Sequence, residues 1–435
     1  MLTRLSRLLI LISVMALSFF VLSQQNRLMA NGRAAANNHT LCQNDMAGTY
    51  PCHNIDLLSY TPKSDLGAAF TNTLVANLWG WTDPDTTKEY ILLGLQNGTA
   101  FVDVTDPISP TYLGLLPTRV PTATPSVYRD MKVYQNIAYI IADTTSQNGM
   151  QIFDLTNLRG LTTPISFTET AYYEIDPDPA NNTAHNIFIH EETGYAYLVR
   201  NAAHCSGGAI ILDLQDPLNP SDAGCFNAGG AASDIMCVIY HGPDIDYQGR
   251  EICLMASDDD LIVGDVTSKT NTVMLAALDY PNAVRSHLAW FTEDHRYFLS
   301  VDMNDEQDFG QNTRIFIWDA SDLDDDTLQP IIYDGPTTGA DHNIWVKGDY
   351  AFIGNLHAGL RILNLNYLHL GLASEAAYFD NYPIDDNPHH GQGAWAVYPY
   401  FDSGTVAVSD RQEGLFLLRP QLPISYFTYL PILNN

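Results

Sequence analysis

A seven-bladed β-propeller, all-β throughout, is the fold class this chain predicts, on three observations. A short motif recurs about every fifty residues, the apolar runs are brief and rich in Val, Ile, Tyr and Phe, and no long stretch keeps a 3.6-residue period. The motif is TAFVDVTDP at Thr99–Pro107. It returns as MQIFDLTNL (Met150–Leu158), AIILDLQDP (Ala209–Pro217), LIVGDVTSK (Leu261–Lys269), IFIWDASDL (Ile315–Leu323) and LRILNLNYL (Leu360–Leu368), with a decayed copy at LFLLRP (Leu415–Pro420). Its anchors Asp103, Asp154, Asp213, Asp265, Asp319 and Asn364 stand 51, 59, 52, 54 and 45 residues apart. That spacing suits one four-stranded blade per copy, and seven copies predict seven blades.

Taken in chain order, the first element is a secretory leader over residues 1–23. Arg4 and Arg7 precede the apolar run LLILISVMALSFFVL, and small and polar residues follow from Ser23. The run is shorter than the roughly 20 residues of a spanning helix. Residues 24–41 read as a flexible leader, 42–420 as the propeller and 421–435 as a short tail. No second apolar stretch is long enough to span a membrane. The six cysteines are even in number, which in an oxidising compartment favours disulfides. Fifteen pairings are possible, and spacing suggests the local set Cys42–Cys52, Cys205–Cys225 and Cys237–Cys253. The rival zinc reading lacks any C-x-x-C pair.

Each repeat parses into strands A to D. In the third these are His185–His190, Tyr195–Asn201, Ala209–Leu214 and Ser221–Phe226, with Gly194 turning between A and B. The seventh has A (Ala394–Phe401), B (Thr405–Ser409) and C (Leu415–Leu418) but no D. The unemployed segment IDLLSY (Ile55–Tyr60) is predicted to supply it, closing the ring and removing open sheet edges.

Composition narrows the partners. With 50 acidic against 20 basic residues the formal net charge is −30, which repels nucleic acid and anionic lipid and favours calcium as a counter-ion. Sparse Lys and Arg argue against phosphate chemistry. A monomer is expected, with an unidentified protein or small molecule as partner. No G-x-S-x-G, P-loop, G-x-G-x-x-G or H-E-x-x-H is present.

Extended blocks of the chain resemble the choice-of-anchor B family of secreted proteins built from LVIVD-type repeats. The likeness is carried by YPCHNIDLLS (Tyr50–Ser59), NLWGWTDP (Asn77–Pro84), NGTAFVDVTDP (Asn97–Pro107), YRDMKVY (Tyr128–Tyr134) and AHNI (Ala184–Ile187). It continues through CVIYHGPDIDYQGREIC (Cys237–Cys253), TEDHRYFL (Thr292–Leu299), DEQDFGQNTR (Asp305–Arg314), DHNIWVKGDY (Asp341–Tyr350) and GAWAVYPYFDSGTVAVSD (Gly393–Asp410). The resemblance implies an exported propeller held at the surface by varying C-terminal devices, and no established activity. The C-terminus of this sequence shows no LPxTG, lipobox or terminal membrane helix.

Propeller geometry aims A-strand starts and B-strand ends at one channel mouth. The starts supply Asn77, Asp130, His185, Asp234, His287 and His342. The ends supply Asp143, Asn201, Asp258, Asp302, Asn355 and Asp410, and His389–His390 could join them. Three imidazoles with Asp130 and Asp234 would suit a divalent transition metal. The competing reading is structural, with the polar residues tying adjacent strands, since buried polar groups must be paired. The acidic stretch Asp302–Thr313 offers a calcium loop from Asp302, Asn304, Asp305, Glu306 and Asp308, without EF-hand register; a solvated loop is the alternative. SDDDL (Ser257–Leu261) and DLDDD (Asp322–Asp326) read as exposed turns. Trp79, Trp81, Trp290, Trp345 and Trp395 fall in or just after A strands, as inter-blade packing or as a sugar-stacking platform. Two functions follow: a binding propeller acting through its polar rim without turnover, or a metal-dependent hydrolase or lyase with His185, His287 and His342 as ligands.

Overall fold

The computed structural model describes residues 39–119, 126–143, 148–227, 230–258 and 260–423. The leader at 1–23, most of 24–41 and the tail from 424 lie outside them. Seven antiparallel sheets surround one channel. Their innermost A strands are Val75–Thr82, Arg129–Tyr134, Ile187–His190, Ala232–Ile239, Ser286–Phe291, Asp341–Lys347 and Ala394–Tyr398, for blades 1 to 7. From each, the chain steps outward through B, C and D. In blade 1 these are Glu89–Leu95, Gly98–Asp103 and Thr111–Pro117.

The ring closes as the pattern predicts. Ile55–Pro62 pairs antiparallel with Gly414–Pro420 and is the outer strand of blade 7, with Leu57 opposite Leu418. Two additions escaped the sequence pattern. Tyr50–His53 extends blade 6 beyond its D strand Ser374–Phe379, and Ile165–Ser166 lies parallel against Thr111–Pro117 of blade 1. Both segments are too short to show a period. The D strand of blade 2, Ala171–Tyr173, has the same excuse.

The recurring acidic anchor has a purely local role. At the end of the C strand of blades 1 to 6 its side-chain oxygen accepts the backbone N–H two residues on: Asp103 from Thr105 (3.0 Å), Asp154 from Thr156 (2.9 Å), Asp213 from Gln215 (2.8 Å). Asp265, Asp319 and Asn364 do the same for Thr267 (3.0 Å), Ser321 (3.0 Å) and Asn366 (2.9 Å). A short acceptor that mimics a turn carbonyl ends the strand and starts the C–D turn, which is why Asp or Asn recurs there.

The three local disulfides form: Cys42–Cys52, Cys205–Cys225 and Cys237–Cys253. The last joins directly opposed residues of the A and B strands of blade 4. No helix among the described residues is long and apolar enough to cross a membrane.

Candidate functional site in the central channel

A register slip at the head of the A strand shapes the mouth. In blade 5, Ser286 faces Asp302 and Leu288 faces Val301, so His287 is an extra residue; in blade 6 His342 is the extra residue, and in blade 7 Trp395 is. Bulges re-aim side chains, and here they bring these three rings together. The His287 and His342 rings lie 4.2 Å apart, and His342 lies 4.1 Å from Trp395. The Nδ1 of His342 is 2.8 Å from the Trp395 carbonyl, whereas the buried Nδ1 of His287 has no hydrogen-bond partner. Burial holds both imidazoles well below their usual proton affinity; His342, Arg285 and His185 add to the effect at His287.

His185 reaches the same place by another route. Its Nδ1 is 2.6 Å from Asp143 Oδ2, a tie between blades 3 and 2, and its ring lies 5.3 Å from Tyr128. Tyr128, Arg129, His185, His287, His342 and Trp395, with Asn77 and Asn186, line a cavity of about 10 Å³ beneath the mouth. That is room for about one water-sized group. His390 also joins the mouth: both ring nitrogens are buried without a partner, and Arg285 helps lower its proton affinity after burial itself.

Asp130 and Asp234 sit one layer deeper, in a chain of amides and carboxylates. Asn77 Nδ2 donates to Asp130 Oδ1 (2.9 Å) and to Asn186 Oδ1 (3.3 Å), and Asn186 Nδ2 donates to Asp234 Oδ2 (3.1 Å). Asp130 also accepts Ile187 N–H (3.0 Å) and forms a buried pair with Lys132 Nζ (3.0 Å). Burial raises the Asp234 carboxyl to about 8, against the pull of Lys132. Thus the five residues expected to share a metal occupy two levels. Their imidazoles cluster at the mouth, and the carboxylates belong to a hydrogen-bonded belt below it.

Most B-strand ends hold the incoming connection. Asp302 Oδ2 accepts Val284 N–H (2.8 Å), Arg285 N–H (2.9 Å) and Tyr280 O–H (2.9 Å); Asn201 donates to Asn181 and Thr183 carbonyls (2.7 and 2.8 Å); Asp410 accepts from Asn381 (2.7 Å). Asp258 is exposed.

Below the belt comes an aromatic layer. Trp79, Trp345 and Trp290 meet edge to face at 5.4 and 4.6 Å, Tyr398 packs on Trp79 at 5.1 Å, and Lys132 Nζ lies 4.6 Å from the Trp79 ring. Beyond it the channel widens at the far end into a chamber of about 760 Å³, lined by Trp79, Trp81, Phe188, Trp290, Tyr398 and Tyr400, with Glu191 and Glu192 at its lip.

The acidic stretch after Asp302 is not a solvated loop. Asp305–Phe309 forms one helical turn whose Asp305 and Glu306 are fully buried, while Asp308 is exposed. Arg314 grips Asp305 Oδ2 (3.0 and 2.7 Å). Asp305 and Glu306 share a proton between their buried carboxyls, while Asn304 Oδ1 and both carboxylate oxygens of the buried Asp341, from blade 6, have no hydrogen-bond partner among the described residues. Burial and Asp305 push the Glu306 carboxyl up to about 10, and Asp341 is raised by burial and by Glu306. Sequence spacing missed Asp341 because it lies on the neighbouring blade. Elsewhere, Asp244, Asp322 and Asp324 place carboxylate oxygens within 4.8 Å of one another and could hold a metal ion; Asp322 and Asp324 are exposed.

Comparison with known proteins matches an LVIVD repeat at residues 338–364, the A to C strands of blade 6. Curated proteins give no match. Solved structures that resemble the chain include a functionally unknown protein from Desulfotomaculum acetoxidans DSM 771 (11% identity, 77% of this chain and 94% of that one, TM-score 0.48). A protein from Lactobacillus plantarum (12%, 78% and 88%, 0.47) and the computationally designed Ika8 protein (9%, 79% and 82%, 0.46) also resemble it.

Proposed function

We propose that this LVIVD-repeat propeller is an exported binding protein of the choice-of-anchor B type, which receives a ligand at the polar mouth of its channel without chemical turnover. One observation carries the reading: the mouth holds buried polar nitrogens with no partner among the described residues, at His287, His390, Arg285 and Arg411. Buried polar groups are otherwise almost always satisfied, so a ligand at the mouth would supply what is missing. The far chamber is larger and holds one unpartnered nitrogen, Trp81 Nε1, but its buried cation, Lys132, is already paired with Asp130. Three disulfides support an extracytoplasmic setting.

The alternative is a metal-dependent hydrolase or lyase built on His185, His287 and His342. It is favoured by the burial that keeps His287 and His342 neutral, and disfavoured by the guanidinium groups beside them and because the ligand nitrogens of the three do not all lie within 4.8 Å of one another. Elemental analysis separates the two. Purified protein should hold no stoichiometric transition metal; about one equivalent, lost in a folded His342→Ala variant, would overturn the binding reading in favour of the enzyme. Calcium is a further proposal for Asn304, Asp305, Glu306 and Asp341, supported by the unpartnered oxygens of Asn304 and Asp341, although the carboxylates of these residues do not all come within 4.8 Å of one another as those of Asp244, Asp322 and Asp324 do. Chelation should then lower the thermal midpoint by several degrees, and an unchanged midpoint rules calcium out.

A further inference from the structure

The basic residues of this acidic protein are unevenly employed. Lys88, Lys132, Lys269 and Arg119, Arg159, Arg250, Arg296, Arg314 and Arg361 all form ion pairs with carboxylates. Seven form none among the described residues: Lys63, Lys347 and Arg419 lie elsewhere, Lys347 donating to the Pro399 and Phe401 carbonyls, while Arg129, Arg200, Arg285 and Arg411 gather at the polar mouth. The Arg411 guanidinium lies 3.9 Å from the Trp395 ring and 5.3 Å from that of Tyr128, and it donates to the carbonyls of Val75 (3.0 Å) and Val127 (2.7 Å). Arg129 Nε donates to the Leu95 carbonyl (3.2 Å) while its Nη2 is buried with no partner. Arg285 and Arg200, both half-buried, are close enough to repel each other, and the Nε of Arg285 has no partner. Burial lowers the Arg129 and Arg411 guanidiniums to about 10, which still leaves them charged at neutral pH.

Charges out of bulk water are normally paired, because desolvation costs several kcal/mol per ion. The nearby carboxylates serve only in part: Asp258 and Asp302 attract the Arg285 guanidinium, but neither forms an ion pair with it. Asp143 is engaged by His185, Asp302 spends its oxygens on Tyr280, Asn304 and two backbone N–H groups, and Asp258 is exposed and makes no ion pair with these arginines. Resting on the reading of the mouth as a ligand site, we propose that it binds a small multivalent oxyanion, a carboxylate- or phosphate-bearing molecule. Arg200, Arg285 and Arg411 supply the counter-charge, and His390, with both ring nitrogens unpartnered among the described residues, supplies a neutral N–H donor. Guanidinium forks match the planar or tetrahedral oxygens of such groups. The cavity beneath the mouth, about 10 Å³, admits a single oxygen and leaves the body of the ligand outside. A polyanionic polymer is excluded because the net charge of −30 repels it at long range, whereas a small anion meets only the local field.

Citrate and inorganic phosphate, titrated calorimetrically and followed by thermal midpoint against sodium chloride of equal ionic strength, test this. At least one should bind and raise the midpoint beyond the chloride control, and the stronger of the two identifies the headgroup. Arg285→Gln and Arg200→Gln, which remove no internal ion pair, should each weaken binding about tenfold or more while the midpoint in chloride stays level or rises. Equal midpoints in citrate, phosphate and chloride, or unchanged affinity in both variants, overturn the oxyanion. If the protein is also free of transition metal, the mouth survives as a site for a different ligand. If metal is found, both readings fall together.

Discussion

At the residue scale, Lys132 shows how one side chain can join two layers of a channel. Its ammonium lies between the aromatic layer and the acidic belt, 3.0 Å from Asp130 and 4.6 Å from the Trp79 ring. Both partners of the ion pair are buried, so truncating one strands the other. Lys132→Met should therefore cost about 3 kcal/mol in chemical denaturation, and adding Asp130→Asn should recover most of it. Equal losses in the single and double variants would mean that the ammonium contributes packing against the rings and not pairing. Lys132 itself stood out in no sequence pattern, because it occupies the position that is aromatic in blades 1, 3, 5, 6 and 7. Only the register of the A strands aligns it with Trp79, Phe188, Trp290, Trp345 and Tyr398.

Among the elements, the closing strand Ile55–Pro62 carries the strongest expectation. It joins the N-terminal segment to the last strand of the seventh blade, so its loss opens blade 7 and exposes the Gly414–Pro420 edge. Leu57, fully buried opposite Leu418, should cost about 2–4 kcal/mol when cut to Ala. Deleting Ile55–Tyr60 should prevent cooperative unfolding altogether, and a deletion protein as stable as the parent would contradict the ring closure. This element was legible beforehand because the seventh repeat lacks a D strand and the N-terminal segment looks like one. The bulges at His287, His342 and Trp395 were not. An inserted residue leaves the alternation of apolar and polar positions almost unchanged over so short a strand, yet it redirects the side chain that matters.

For the molecule as a whole, buried acids set the response to pH. Asp234 and Glu306 titrate at about 8 and about 10 in the folded protein, raised chiefly by burial. Ordinary carboxyls in the unfolded chain release their protons near 4. The folded state thus binds more protons, and its stability falls as pH rises until each folded value is passed. Below about 6.5 the depressed His287, His342 and His295 oppose this, since they stay neutral when folded and take up protons when unfolded. Between pH 6.5 and 8 only the acid contribution remains. In the presence of chelator the thermal midpoint should drop across that window, and Glu306→Gln should flatten the slope. A midpoint that rises from 6.5 to 8 would show that these carboxyls are ionised in the folded chain. Added calcium, if the cluster takes it, should reverse the slope, because the metal requires the deprotonated form.

Blade number, the strand that closes the ring and the three disulfides could all be read along the chain. They follow from local regularities: a recurring turn acceptor, alternating apolar runs, and cysteines close in sequence. The pairing of charges could not. Whether a guanidinium meets a carboxylate depends on residues dozens to hundreds of positions apart, so the tertiary fold alone left Arg200, Arg285 and Arg411 without a counter-ion at one opening. The fold alone also set Asp341 beside the buried, mutually bonded carboxyls of Asp305 and Glu306. A repeat dictates architecture because each blade resembles the next; a site arises where the blades differ, and only their arrangement in space says which differences meet.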